Sequence, residues 1–421
     1  MQNTQVRSYT GPFIVMVILF FFVGFFTNIN QQFQEPIKEA LLSQAGSIKN
    51  TVMTLITVSW FIAYPVFGGT GAKWVSKFGY KGTLVRALLF MVAGLAVFEA
   101  SVLLQVYSPI DIPMGSVSVP LAFFVFIAGS FIVGGAVTIM QVVINPFLTN
   151  CQVKGTSDVQ RQNIGGTSNS IATTIGPLFV AYAIFGGAVA TVNDLMIPFL
   201  ALMVVIAILS FIVSKLDLPT IESATAKAGE KLDRSVWSFR HLALGVAAIF
   251  FYVGVEVAVG TNVVSFAKEL GGNFAEKAAM MASMYWGGML VGRLIGSFIS
   301  KVPAKTQLTV TSAAAIVLLV ASMALRNPWL LIGVGLCHSV MWPAIFSLAV
   351  AKLGKYTSLG SAALMIGVLG GGIIPLVQGG LTDILGSWEW TWVLIAACEV
   401  FLLYYALVGC KPRPQDVMTN E

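Results

Sequence analysis

Residues 11–36 read GPFIVMVILFFFVGFFTNINQQFQEP. From Gly11 to Ile29 the only polar side chains are Thr27 and Asn28. About 20 apolar residues in a row are what a helix needs to cross a bilayer. Backbone N–H and C=O groups in lipid must be satisfied internally, so the segment is either helical or part of a closed barrel. A barrel strand alternates polar and apolar residues over about ten positions. Phe13–Phe26 does not alternate, and neither does Ala313–Val320. Arg7 precedes the run, and no small-residue cleavage site ends it at signal-peptide length, so it reads as a retained first helix.

Comparable stretches recur along the chain. The predicted spans are 11–36, 51–71, 82–105, 119–149, 162–187, 194–215, 241–267, 277–300, 306–325, 328–352, 358–380 and 387–409. Composition agrees. Of 421 residues, 57% are hydrophobic and 10% charged, against roughly a quarter charged in a soluble protein. So few charges cannot cover the surface of a soluble particle this large. The 41 glycines fit, because Gly is more frequent in membrane helices than in soluble ones.

The formal net charge of +6 does not point to nucleic acid, since no run of five or six like charges exists. Cys151, Cys337, Cys398 and Cys410 lack metal-ligand spacing and read as buried thiols. With His241 and His338 the only histidines, no metal site and no cofactor are expected. No nucleophile–base pair is visible, so an enzyme is not expected either.

Lys and Arg set the orientation. If both termini are cytoplasmic, 19 of the 24 basic residues fall on the inside. Lys38, Lys49, Lys268, Lys277 and Arg326 remain outside. That bias is the positive-inside pattern. The longest polar stretch, Asp217 to Arg240, reads as a cytoplasmic linker. It divides the chain into a six-helix half at 1–216, the linker at 217–240 and a second half at 241–421.

The halves repeat each other. Phe21-Phe22-Val23-Gly24 matches Phe251-Tyr252-Val253-Gly254. Trp74-Val75-Ser76-Lys77-Phe78-Gly79-Tyr80-Lys81 matches Phe298-Ile299-Ser300-Lys301-Val302-Pro303-Ala304-Lys305. The matches fall at equivalent places in the two halves. Two parallel six-helix repeats resemble the major facilitator superfamily, an all-α integral membrane fold of twelve helices with its substrate site near the midplane. Gly71 or Ala72, Ser76-Lys77, Gly79 and Lys81 resemble a degenerate form of that superfamily's loop signature after helix 2, without its Asp.

Polar residues within apolar helices usually face a bundle interior. Helix 1 carries Thr27, Asn28, Asn30, Gln31, Gln32, Gln34 and Glu35. Helix 4 carries Gln141 and Asn145, four apart on one face. Helix 5 opens with Gln162 and Asn163 and continues to Thr167 and Asn169. Helix 7 carries Glu256, Gly260, Thr261 and Asn262. Amides and hydroxyls supply the paired donors and acceptors that a neutral polyol needs. The competing reading of each residue is glue between helices. Tyr252, Tyr285, Trp286 and Trp342 offer flat faces to a sugar ring or pack the core, and Trp342, beside Pro343, is the candidate sugar contact. Of the few deep carboxylates (Glu35, Glu99, Glu256 and Glu399), Glu256 is the candidate proton carrier. The expected substrate-binding set is Asn28, Gln31, Gln141, Asn145, Gln162, Asn163, Glu256, Asn262 and Trp342.

Longer motifs narrow the likeness. Asn28-Ile29-Asn30-Gln31, Asn145-Pro146-Phe147, Arg161-Gln162-Asn163 with Thr167 and Asn169-Ser170, Tyr252-Val253-Gly254-Val255-Glu256-Val257, Trp342-Pro343-Ala344-Ile345-Phe346-Ser347-Leu348 and Gly370-Gly371-Gly372-Ile373-Ile374-Pro375 together resemble the fucose permease family and its glucose/galactose branch. The resemblance implies proton-linked import of hexoses or deoxyhexoses across a bacterial inner membrane, and a monomer is expected. In that family a helix 1 Asp and a helix 4 Glu act in the fucose member. Gln31 and Gln141 stand at those positions, and Gly166 replaces a helix 5 Gln. The alternatives are a proton-independent sugar facilitator and an efflux transporter of another small molecule on the same scaffold. A non-transporting sensor would be expected to carry an added soluble domain.

Overall fold

The computed structural model describes residues 9–416, apart from 43, 116, 152, 155, 157, 187–190, 217, 219–233, 299–301, 354, 355, 357–359, 361 and 362. The side chains of 76, 146, 149, 150, 158–160, 162 and 163 also lie outside the described set.

Ten helices are long and apolar enough to cross a membrane, among the described residues. They are α1 (Thr10–Leu41), α2 (Gly46–Val75), α3 (Lys77–Tyr107), α4 (Leu121–Asn145), α6 (Val192–Lys215), α7 (Arg240–Leu270), α9 (Ala304–Ala324), α10 (Leu330–Ala349), α11 (Met365–Leu385) and α12 (Glu389–Gly409). Two more helices fill the remaining predicted places, α5 (Asp158–Leu178) and α8 (Ala278–Phe298). Asn, Gln, Ser and Thr dilute the apolar character of α5, and α8 carries Arg293 among glycines and aromatics.

An element absent from the expectation precedes α4. Asp111–Met114 (β1) pairs antiparallel with Val117–Pro120 (β2). Pro113 and Pro120 remove two ladder donors, and Gly115 supplies the left-handed turn residue at φ 69°.

The chain forms two compact units, one of residues 1–44 and 62–224, the other of residues 45–61 and 225–421. The first seventeen residues after Gln44 therefore belong to the second unit, although α2 continues into the first. The expected linker at 217–240 lies largely outside the described residues.

In the first unit α1 packs along α5 and α4. A phenylalanine cluster ties α1, α3, α4 and α6. Phe98 lies 4.4 Å from Phe126 and 5.1 Å from Phe199, and Phe33 lies 5.8 Å from Phe126. Edge and offset ring contacts of this kind add to ordinary apolar burial. On α6, Phe199, Leu202 and Ile206 are buried, whereas Ile197, Val204, Ile208 and Phe211 are exposed. The helix thus presents apolar residues on both its inner and its outer face.

In the second unit α7 is the hub, packed against α8, α10, α11 and α12. The sequence repeat has a structural meaning here. A Cβ on Gly24 of α1 would lie 2.6 Å from the Asn169 carbonyl oxygen of α5. A Cβ on Gly254 of α7 would lie 2.3 Å from Ile374 Cγ1 and 3.1 Å from the Gly370 carbonyl of α11. Each glycine seats its helix against the fourth helix after it, and the two seats are equivalent in the two halves.

The end of the chain closes onto the start of α7. The buried Asp416 carboxylate accepts from Arg413 Nε at 2.9 Å and from the Arg240 backbone N–H at 3.4 Å. Arg234 lies 3.8 Å away. Burial by itself would raise this carboxyl. The Arg413 hydrogen bond, the Arg240 N–H and the charges of Arg413 and Arg234 outweigh it and hold the group below its ordinary value.

Candidate functional site

The polar residues of α1 collect in its second half, where Asn28, Asn30, Gln31, Gln32, Gln34 and Glu35 are all buried. Glu35 pairs with Lys38 one turn on. Thr27 spends its hydroxyl on the Val23 carbonyl at 2.7 Å. The side-chain amide atoms of Asn28 and Asn30, and Oε1 of Gln31, have no protein partner among the described residues. Most buried polar atoms in proteins are hydrogen-bonded, so a cluster of orphans calls for an explanation. Each orphan costs about 1–3 kcal/mol unless water or a ligand satisfies it.

Helix α5 positions one of these amides. Asn28 Oδ1 lies 2.2 Å from where a Cβ on Gly176 would stand. Glycine at 176 therefore makes room for the Asn28 amide. Asn169 and Ser168 do structural work instead. Asn169 Nδ2 donates to the Phe20 carbonyl at 3.1 Å and Ser168 Oγ to the Val17 carbonyl at 3.1 Å.

The other candidates in this unit differ among themselves. Gln141 Nε2 donates to the Tyr64 hydroxyl at 2.9 Å. Asn145 is half-buried on α4. Gln162 and Asn163 are in α5, and their side chains lie outside the described residues.

In the second unit Glu256 sits mid-way along α7 with a side chain 16% exposed, 3.9 Å from Arg293 of α8. Tyr252, one turn earlier, donates its hydroxyl hydrogen to the His338 carbonyl at 3.1 Å. Trp342 is half-buried, with its ring centroid 6.2 Å from that of Tyr252. Asn262 is engaged through its nitrogen, while its Oδ1 is buried with no partner among the described residues. Its Nδ2 donates to Gln378 Oε1 at 2.9 Å, and Gln378 Nε2 donates to Thr391 Oγ1 at 3.0 Å. This buried chain joins α7, α11 and α12 and matches the glue reading of an intramembrane amide.

Sequence reasoning passed over His338. It is fully buried, with Nε2 2.7 Å from Glu399 Oε1 and Nδ1 2.6 Å from the Tyr285 hydroxyl. Tyr285 also reaches the Glu256 carbonyl at 3.1 Å. Helix α10 breaks right after this residue, between Leu330–His338 and Met341–Ala349. Pro343 contributes, because it has no N–H to offer the carbonyl four residues back. The signal available in sequence was Glu399 itself, a carboxylate in an otherwise apolar helix.

Residues 10–373 match the family model described as Major Facilitator Superfamily. The chain belongs to the major facilitator superfamily. Its twelve helices are the fold of that superfamily, whose members carry solutes across membranes as multi-pass proteins. Among curated relatives, the glucose/galactose transporter of Brucella abortus biovar 1 (strain 9-941) is 30% identical over 421 residues, covering 97% of each chain. The L-fucose-proton symporter of Escherichia coli (strain K12) is 24% identical over 440 residues, covering 96% of this chain and 94% of that one. Among solved structures, the inward-open xylose transporter XylE of E. coli superposes with a TM-score of 0.71 at 11% identity, covering 97% of each chain. Its likeness is one of fold.

Proposed function

We propose that this superfamily member imports a monosaccharide, a hexose or deoxyhexose, by alternating access across a bacterial inner membrane, with proton symport. The observation that carries the reading is the set of buried amide atoms on Asn28, Asn30 and Gln31 that have no partner among the described residues. A sugar is a ring of hydroxyls, each both donor and acceptor, and matches such atoms in either orientation. An efflux pocket for amphiphiles would instead be mainly apolar and aromatic. The names of the relatives, a glucose/galactose transporter and an L-fucose-proton symporter, point the same way.

In this reading Asn28, Gln31, Gln141, Asn145, Gln162 and Asn163 serve the sugar from the first half, and Glu256 and Trp342 from the second. Asn262 supports Glu256's helix. Gln31 and Gln141 have no proton to exchange, so coupling falls to the second half, where Glu256 is the half-buried acid. The functional halves are 1–216 and 241–421, joined by the linker 217–240. The protein works as a monomer in lipid with both termini cytoplasmic, and the Lys and Arg bias supports that orientation.

The test is uptake into proteoliposomes over a panel of hexoses, deoxyhexoses and pentoses, with and without an imposed pH gradient. Accumulation of one hexose against its gradient, only when the pH gradient is present, is expected. Equilibration without accumulation means a facilitator. No saturable sugar flux, with active efflux of an amphiphile, overturns the sugar reading.

A further inference from the structure

We propose that His338 and Glu399 together hold the proton that is exchanged during transport, with the Tyr285 hydroxyl as the group that senses whether it is there. The proposal rests on the symport reading above and names a different carrier within the same half.

The argument is a count of hydrogens. His338 and Glu399 are both 0% exposed, and Nε2 and Oε1 are 2.7 Å apart. A proton must lie between them at that distance. The Tyr285 hydroxyl has one hydrogen and two neighbours, the Glu256 carbonyl at 3.1 Å and His338 Nδ1 at 2.6 Å. A carbonyl only accepts. If the hydroxyl donates to it, Nδ1 must carry a hydrogen and donate to the hydroxyl. Both imidazole nitrogens then face a shared proton, and the pair holds two, either as imidazolium and carboxylate or as neutral imidazole and carboxylic acid. Its net charge is zero.

In the alternative, the hydroxyl turns and donates to Nδ1. The Nε2–H then donates to the Glu399 carboxylate, and the pair holds one proton with a net charge of −1. The two arrangements differ by one proton, which leaves to water, and by a rotation of a single hydroxyl. No other atom needs to move far.

Burial decides which arrangement the closed site favours. An isolated net charge away from water is expensive, whereas a neutral pair is not. The second Glu399 oxygen, Oε2, is buried with no partner among the described residues. A carboxylate oxygen left so would be costly, and the carbonyl oxygen of a neutral acid much less so. The charged and titratable neighbours do not change the balance. Tyr252 and Glu256 face the pair from α7, and Tyr285 and Arg293 from α8. Cys337 and Cys398 adjoin its two members on α10 and α12. Helix α9, packed against both α10 and α12, has Lys305 in its first turn as its one charged residue. The Arg293 charge is already engaged by the Glu256 carboxylate at 3.9 Å. The site as built therefore fits the loaded, two-proton arrangement.

The experiment is infrared difference spectroscopy on the purified full chain in detergent, without sugar, between neutral and alkaline pH. It reads the C=O stretch of protonated carboxyl groups. The wild type should show a band at neutral pH that Glu399→Gln removes and Glu256→Gln keeps. Tyr285→Phe should shift that band, because Nδ1 loses its oxygen partner. Tyr285→Phe also keeps the test available if Glu399→Gln does not fold. In proteoliposomes Glu399→Gln should lose accumulation driven by a pH gradient by at least tenfold. A band removed by Glu256→Gln and kept by Glu399→Gln overturns the proposal, as does full accumulation by Glu399→Gln. A wild type that shows the Glu399 band yet never concentrates sugar overturns the symport reading and leaves the buried proton assigned to the pair.

Discussion

Asp383 holds Thr51 by two bonds, the Thr51 backbone N–H to Oδ2 at 2.7 Å and its hydroxyl to the same oxygen at 2.6 Å. The other oxygen, Oδ1, accepts from the Asn50 backbone N–H at 3.2 Å and its amide at 2.8 Å. A carboxylate from the end of α11 thus caps the start of α2, where free N–H groups and the helix dipole both favour an anion. Asp383→Ala leaves four donors without it. Charge-assisted bonds are worth about 1.5–3 kcal/mol each, and water will recover part of that. The expected outcome is a lower unfolding temperature in detergent, together with faster thiol labelling of a cysteine placed at the now buried Thr54. Unchanged labelling would show that the cap does not restrain this end of α2.

Gly176→Ala should act through Asn28. The added methyl meets Asn28 Oδ1 and forces the amide out of place. Sugar affinity, followed by intrinsic tryptophan fluorescence, is expected to fall by about five- to a hundredfold, the equivalent of one lost or misplaced buried hydrogen bond at ~1–3 kcal/mol. Gly68→Ala is the control, since a Cβ there meets nothing within 4 Å. Equal affinities for the two variants would remove Asn28 from the binding set.

Asn262 and Asn28 should separate in their effects. Asn262→Ala strands Gln378 Oε1 and interrupts the chain to Thr391. Its expected cost is in stability, about 1–3 kcal/mol, with KM for sugar little altered. Asn28→Ala removes amide atoms that have no partner among the described residues, so KM should rise while the melting temperature holds. The paired measurements, thermal melts and uptake kinetics on both variants, would fail the distinction if both residues moved the same parameter.

The Asp416 clasp predicts an acid limb. Its carboxyl is held below the ordinary value when folded, so its stabilisation is complete above the unfolded carboxylate range, near pH 4. That stabilisation is lost as pH falls through the lower folded value. Asp416→Asn should therefore melt below the wild type at neutral pH, and the gap should close in strongly acidic buffer. A gap that stays constant down to acid would show that the carboxylate charge is not what matters.

The helices were legible because a membrane span needs length and apolarity, and both are local properties of a sequence. The polar opening of α5 did not hide it, since its neighbours fixed where a span had to fall. The β1–β2 hairpin was not read, because its two four-residue strands carry prolines and give no long alternation. Within the candidate site, the α1 amides stood out as polar residues in an apolar run. What each amide touches did not. Asn262 looked like Asn28 until packing placed Gln378 beside it. The His338–Glu399 contact spans 61 positions and the Asp383–Thr51 contact 332, and no local periodicity encodes a pair that far apart. Gly24 and Gly254 were visible as a repeat, but their service as seats for α5 and α11 required the backbone.

The Asp416 clasp also bears on how the chain is made. The Arg240 N–H and the Asp416 carboxylate are separated by 176 residues. During synthesis the first turn of α7 emerges and enters the membrane long before its anionic partner has been translated. Until then the Arg240 N–H lacks this acceptor. The start of α7 therefore gains this clasp only when the last residues are made, and a nascent chain stopped short of Asp416 should leave it more open to protease from the side on which it entered.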